Sequence, residues 1–166
     1  NGFKYVLSVI DTPGVFDSNG NDKTFNNIMK EYYNACGGVN MFYIFYKYEG
    51  KLDDNYKKLL KKYEQFWNKN FWKHCCVIIT NCDKDSPTRA KRVEAGLKKT
   101  KSQIREEISK ISNGMCNNVK IYPFGDKYFK ESTQEILTSL IKHKNKYKCD
   151  SIESPMDITI RKAKTS

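Results

Sequence analysis

The residues best placed to do chemistry stand at the end of a short apolar run. Val6-Leu7-Ser8-Val9-Ile10 leads into Asp11-Thr12-Pro13-Gly14. A carboxylate delivered by the end of a buried strand suits the shell of a magnesium ion. A glycine NH can meet a phosphate oxygen because no Cβ blocks the approach. Together they are one way to sense Mg²⁺ and a γ-phosphate. The same four residues also make an ordinary turn, so the segment gains meaning only from partners further along the chain.

Two such partners follow. Val77-Ile78-Ile79 runs into Thr80-Asn81-Cys82-Asp83. An Asp three residues after a Thr or Asn, directly behind a buried strand, can read guanine. Its carboxylate accepts from the base N1–H and N2–H₂, a donor pair that adenine lacks, while the Thr braces the loops. The position after Thr is commonly a Lys whose stem lies along the base; here it is Asn81. A polar loop with no ligand is the competing reading. The second partner is Tyr122-Pro123-Phe124-Gly125-Asp126-Lys127. In a GTPase this loop meets the base from the other side, with Asp126 the candidate contact, although a plain strand-to-helix turn accounts for it as well.

These groups need a scaffold. Apolar, β-branched or aromatic runs at 6–11, 41–46, 75–80 and 119–124 read as strands. A helix of about 12 residues follows the polar loop 17–22 and ends near Cys36-Gly37-Gly38, a glycine cap. Leu52, Tyr56, Leu59, Leu60, Tyr63, Phe66 and Trp67 form a helical stripe. Ser86-Pro87 opens a long basic helix to about 112, with Ser as cap and Pro at the first helical position. A last helix over 132–147 carries Ile136, Leu137, Leu140 and Ile141 on one face. Phe42, Tyr43, Phe45 and Tyr46 read as core strand residues. Alternation of this kind predicts an α/β fold with a mainly parallel sheet flanked by helices, and such sheets bind ligands at the carboxyl ends of their strands. The expected organisation is a domain over 1–148 and a tail over 149–166.

Composition narrows the class. The 166 residues are 39% hydrophobic and 13% aromatic, which excludes wholesale disorder, and a mean hydropathy of −0.74 implies a very polar surface. Thirty Lys and Arg against 19 Asp and Glu give +11, suited to an anionic partner or to a lysine-coated solvated surface. No RNP-like aromatic motif, zinc knuckle or helix-turn-helix signature accompanies that charge, so nucleic acid is the weaker reading. The six cysteines form no CxxC pair and read as free thiols in a reducing cytosol. No run approaches a membrane span.

The order of these motifs resembles the immune-associated nucleotide-binding GTPases (GIMAP, or AIG-type), relatives of septins and chloroplast Toc receptors. The carrying residues are Asp11-Thr12-Pro13-Gly14-Val15-Phe16-Asp17 and Gly37-Gly38-Val39-Asn40. Phe71-Trp72-Lys73-His74 leading into Cys76-Val77-Ile78-Ile79-Thr80 and Asp83 completes them. The resemblance spans residues 3 to about 147 and implies a P-loop GTPase domain using GTP or GDP with Mg²⁺. Asp11, Thr12 and Gly14 would lie on the phosphate side, Asp11 holding Mg²⁺ through a water. Thr80, Asn81, Asp83 and Asp126 would lie around the base. Val15 stands where Ras-like enzymes place a water-orienting Gln, so hydrolysis is expected to be slow. The family implies stimulation by a homodimer formed through the switch-side face and peripheral contact with intracellular membranes, while the free thiols point to a cytoplasmic location.

No G-x-x-x-x-G-K-[S/T] occurs in these 166 residues. In that family the motif precedes the Asp-Thr-Pro-Gly strand. The expectation is therefore a partial G domain, truncated before its P-loop strand and helix, that binds GTP very weakly by itself. A nucleotide-independent scaffold is the remaining alternative.

Overall fold

The computed structural model describes residues 7–12, 22–49, 52–83, 86–125, 127–143 and 147, without the side chains of 22–25 and Cys36. The chain divides into two units, Gly38–Cys149 and the remainder, each taken by itself.

In the remainder, α1 spans Asp22–Cys36. Met29 and Tyr33, one turn apart, are its buried pair. Gly37 ends it with φ +61° and an NH donated to Asn34 O at 3.3 Å. The strand expected over 6–11 is not observed: residues 7–12 have no regular structure, and Val9 is 80% exposed. An apolar run reports what could be buried, whereas a strand exists only where a neighbouring edge supplies its hydrogen bonds. Among the described residues no strand pairs with this one.

The other unit holds β1 (Phe42–Lys47), β2 (Cys75–Thr80) and β3 (Lys120–Pro123), all parallel in the order β1-β2-β3. Register runs from Phe42 opposite Cys75 to Lys47 opposite Thr80, and from Cys76 opposite Lys120 to Ile79 opposite Pro123. Parallel neighbours need crossovers, and helices supply them. α2 (Asp54–Trp67) joins β1 to β2, α3 (Pro87–Ile111) joins β2 to β3, and the two helices pack on each other.

Local chemistry sets the helix ends. The Asp53 carboxylate accepts from Tyr56 N at 2.6 Å to start α2, and Asn68 at φ 85° stops it. Ser86 Oγ accepts from Arg89 N at 3.2 Å, with Pro87 just inside α3. Val93, Leu97, Thr100, Ile104 and Ile108 bury one stripe of α3, spaced by three and four residues. Between α2 and β2 a 3₁₀ segment, Lys69–His74, buries Phe71 and Trp72.

Three expectations need correction. The last helix, α4, is Phe129–Lys142 and not 132–147. Tyr147 instead returns to β1's entrance, its NH donating to Val39 O at 2.7 Å and its hydroxyl to Trp67 O. There its ring joins Phe42, Trp67 and Phe71. A buried aromatic with a satisfied hydroxyl outweighs another helical turn in a lysine-rich segment. The rotation of α4 also differs, since Leu137 and Ile141 are exposed while Ser132 and Ser139 are buried. Ser132 Oγ donates to Pro123 O at 2.6 Å and Lys120 Nζ donates to Ser139 Oγ at 3.1 Å. These polar anchors to β3 decide which face turns inward. Phe45 is likewise 60% exposed rather than core, because it points away from buried Ile44 and Tyr46.

Candidate functional site

The carboxyl end of β2 builds the site. Thr80, the last strand residue, donates from Oγ1 to Tyr46 O at 3.5 Å and accepts from Tyr48 N at its carbonyl at 3.0 Å. The chain then reverses through Asn81 at φ 59°, a left-handed conformation that Asn tolerates better than most residues. Asn81 Nδ2 donates to Tyr48 O at 2.9 Å, and its Oδ1 accepts from Arg89 Nη2 at 2.9 Å. Arg89 also donates from Nε to Asp83 O at 3.1 Å. The reversal is therefore held from β1's exit on one side and from the first turn of α3 on the other.

Cys82 is buried beneath the turn, its thiol donating to Ile79 O at 3.3 Å, and burial pushes that thiol up from its ordinary range. Two backbone bonds sew this loop to the one after β3. Phe124 N donates to Ile79 O at 2.7 Å, and Cys82 N donates to Phe124 O at 3.3 Å. The approach is close enough to demand glycine. A Cβ on Gly125 would come within 2.9 Å of both Asp83 Oδ1 and the Cys82 carbonyl carbon. The result is an open hollow of about 430 Å³ lined by Thr80, Asn81, Asp83, Phe124, Gly125 and Phe129. Its lining combines the carboxyl-bearing Asp83 and the hydroxyl-bearing Thr80 with two aromatic residues, a set that suits a planar ring with donors on its edge.

Thr80, Asn81 and Asp83, expected together, line this one hollow. Asp11 and Thr12 are exposed residues of the other unit. Gly14 and Asp126 lie outside the described residues, as does Val15. Arg89 and Phe129 carry no signal of their own in the sequence. Arg89 is one basic residue among many on α3, and only its position one turn past the loop marks it.

The family model of the AIG1 family matches residues 3–121. The chain belongs to the AIG1 family. It is thus an AIG1-type GTPase domain, of P-loop class and guanine-nucleotide-binding, and its three-stranded parallel sheet with flanking helices agrees with that fold. The match takes in both Asp11-Thr12-Pro13-Gly14 and Thr80-Asn81-Cys82-Asp83 of this AIG1 chain. It stops short of Phe124, Gly125 and Phe129. No curated protein matches the chain.

Proposed function

We propose that the hollow at the carboxyl ends of β2 and β3 is the base-reading half of a GTP site in a GIMAP-class protein. The observation that carries this reading is the placement of Asp83. Its carboxylate lines the hollow beside Thr80, in a loop held by Arg89 and packed against Gly125 so closely that no side chain fits between. A fixed carboxylate accepts from the N1–H and N2–H₂ edge of guanine and meets only an acceptor at N1 of adenine.

The donor chemistry of the hollow fits guanine. Mg²⁺ belongs to the phosphate side. Asp11 is a carboxylate able to hold the ion through a water, the rest of its shell coming from phosphate oxygens and waters rather than from a cluster of protein ligands. Recognition of the base edge by Asp83 involves no step through the ion. Slow hydrolysis rests on Val15 in the place of a water-orienting residue. Pairing of two domains through the switch-side face and peripheral membrane contact rest on the resemblance, a cytoplasmic location rests on the free thiols, and the +11 charge suits an anionic lipid face. Among the described residues no helix is long and apolar enough to cross a membrane.

Nucleoside titration into ¹⁵N-labelled protein tests the reading. Guanosine is expected to shift the amide signals of Thr80, Asp83 and Gly125 at concentrations where adenosine leaves them in place. Asp83→Asn should exchange an acceptor for a donor and move the preference from guanosine toward xanthosine. Equal responses to guanosine and adenosine would remove the base-reading function.

A further inference from the structure

The Lys stem that would lie along the base is missing from its usual place, and Asn81 there has a short polar side chain with no apolar stem to offer. Both ends of its amide are engaged, Nδ2 with Tyr48 O and Oδ1 with Arg89, each at 2.9 Å. An apolar wall for a ring in this hollow must come from another element.

We propose that Phe129 is that wall, a base-stacking residue supplied by the first turn of α4. This rests on the reading of the hollow as a base site. Phe129 lines the hollow together with Thr80, Asn81 and Asp83 and is 56% exposed, so a face of its ring is open to a ligand that enters there. Its partner Phe124 meets it at 5.3 Å between centroids and 67°, an edge contact that fixes the ring at one side.

The wall belongs to the same frame as the reading carboxylate. Tyr128 N donates to Gly125 O at 2.9 Å, Ser132 N to Tyr128 O at 2.9 Å, and Ser132 Oγ to Pro123 O at 2.6 Å. Gly125 in turn abuts Asp83. Phe129 and Asp83 are thus set by one run of short-range contacts through the β3 loop. The division of labour follows from chemistry: Asp83 selects the base by its edge, and Phe129 holds any base by its face.

Guanosine and adenosine titrations of wild type, Phe129→Ala, Phe129→Trp and Asp83→Ala, followed by amide shifts, decide it. Because Phe129 is exposed, its variants are expected to keep the wild-type spectrum away from the hollow. Phe129→Ala should weaken guanosine about fivefold or more, the lower end for a base on an aromatic side chain. Phe129→Trp should retain affinity and show indole fluorescence quenched by guanosine. If guanosine is preferred, and Asp83→Ala loses it while Phe129→Ala binds as wild type does, the wall is overturned and the base reading stands. If both nucleosides bind equally and both weaken in Phe129→Ala, the wall stands and guanine reading falls. Binding of neither nucleoside to wild type overturns both.

Discussion

Arg89 reaches back from the first turn of α3 to Asn81, its Nη2 donating to the side-chain oxygen over 2.9 Å while its Nε donates to Asp83 O over 3.1 Å. The two residues share one task. Asn81 accepts the left-handed turn after β2, and Arg89 holds it there, so the residue that follows Thr80 braces the loop that carries Asp83.

Asn81→Ala removes both side-chain bonds and leaves an Ala at φ 59°. A loss of about 1–3 kcal/mol is expected, the usual penalty for leaving half-buried partners unpaired. Urea unfolding followed by tryptophan fluorescence measures it. A change within about 0.5 kcal/mol, the ordinary range for a surface substitution, would show that the turn does not depend on this residue.

Gly125→Ala places a Cβ 2.9 Å from Asp83 Oδ1 and from the Cys82 carbonyl carbon. Since one contact is backbone, the two loops must separate. Stability is expected to fall by about 1–3 kcal/mol from overpacking, and the amide signals of 80–83 to move without any ligand. An unchanged spectrum would show that the loops have room.

Gly96→Ala sets two effects against each other. Exchanging Gly for Ala inside a helix gains about 1 kcal/mol in propensity. Here the new Cβ would stand 1.9 Å from the Tyr48 hydroxyl oxygen and 3.1 Å from Cζ. Tyr48 is buried, so its ring has no easy retreat, and its backbone carbonyl also holds Asn81. The net expectation is a loss of about 1–2 kcal/mol. Adding Tyr48→Phe, which removes the clashing oxygen, should recover most of it; a variant already more stable than wild type would contradict the packing.

His74 makes folding sensitive to acid. Its Nδ1 lies 2.8 Å from His143 Nε2 and 3.3 Å from Asn40 O. Burial lowers its pKa from the ordinary 6.5; the Asn40 bond opposes that, while His143 and Lys73 reinforce it. The unfolded chain therefore takes the proton more readily than the folded one. The stability tied to neutral His74 is complete above the unfolded value, about 6.5, and is lost as pH falls below it through the folded value. The urea midpoint of wild type is expected to drop more steeply than that of His74→Phe between about pH 7.5 and about pH 5. Parallel curves would refute the assignment.

Much of the fold is legible in the sequence where one local rule suffices. Cys75–Thr80 is the expected strand to the residue, because a fully buried central strand reads as an unbroken apolar run. Ser86-Pro87 marks the start of α3 for an equally local reason. Thr80, Asn81 and Asp83 stand out because their spacing alone brings them to one strand end. Legibility fails where a distant partner decides. Residues 7–12 carry a strand's composition without a paired edge. Tyr147 leaves the helical pattern for an aromatic cluster more than 75 residues away in sequence, at Trp67 and Phe71. Arg89 and Phe129 enter the site only because α3 and α4 start where β2 and β3 end, a fact of topology that no spacing in the chain reports.

The central strand also keeps time. Cys75 and Cys76 are both buried on β2; burial pushes the Cys75 thiol well up and the Cys76 thiol to about 11. An alkylating reagent needs both a path and a thiolate, and burial on the central strand denies them both. Labelling at these two sulfurs therefore waits on β2 parting from its neighbours. The protein carries its own gauge: the rate at which these thiols react, read by mass, rises with the share of time its sheet stands open, and becomes the opening rate itself once reagent outpaces reclosing.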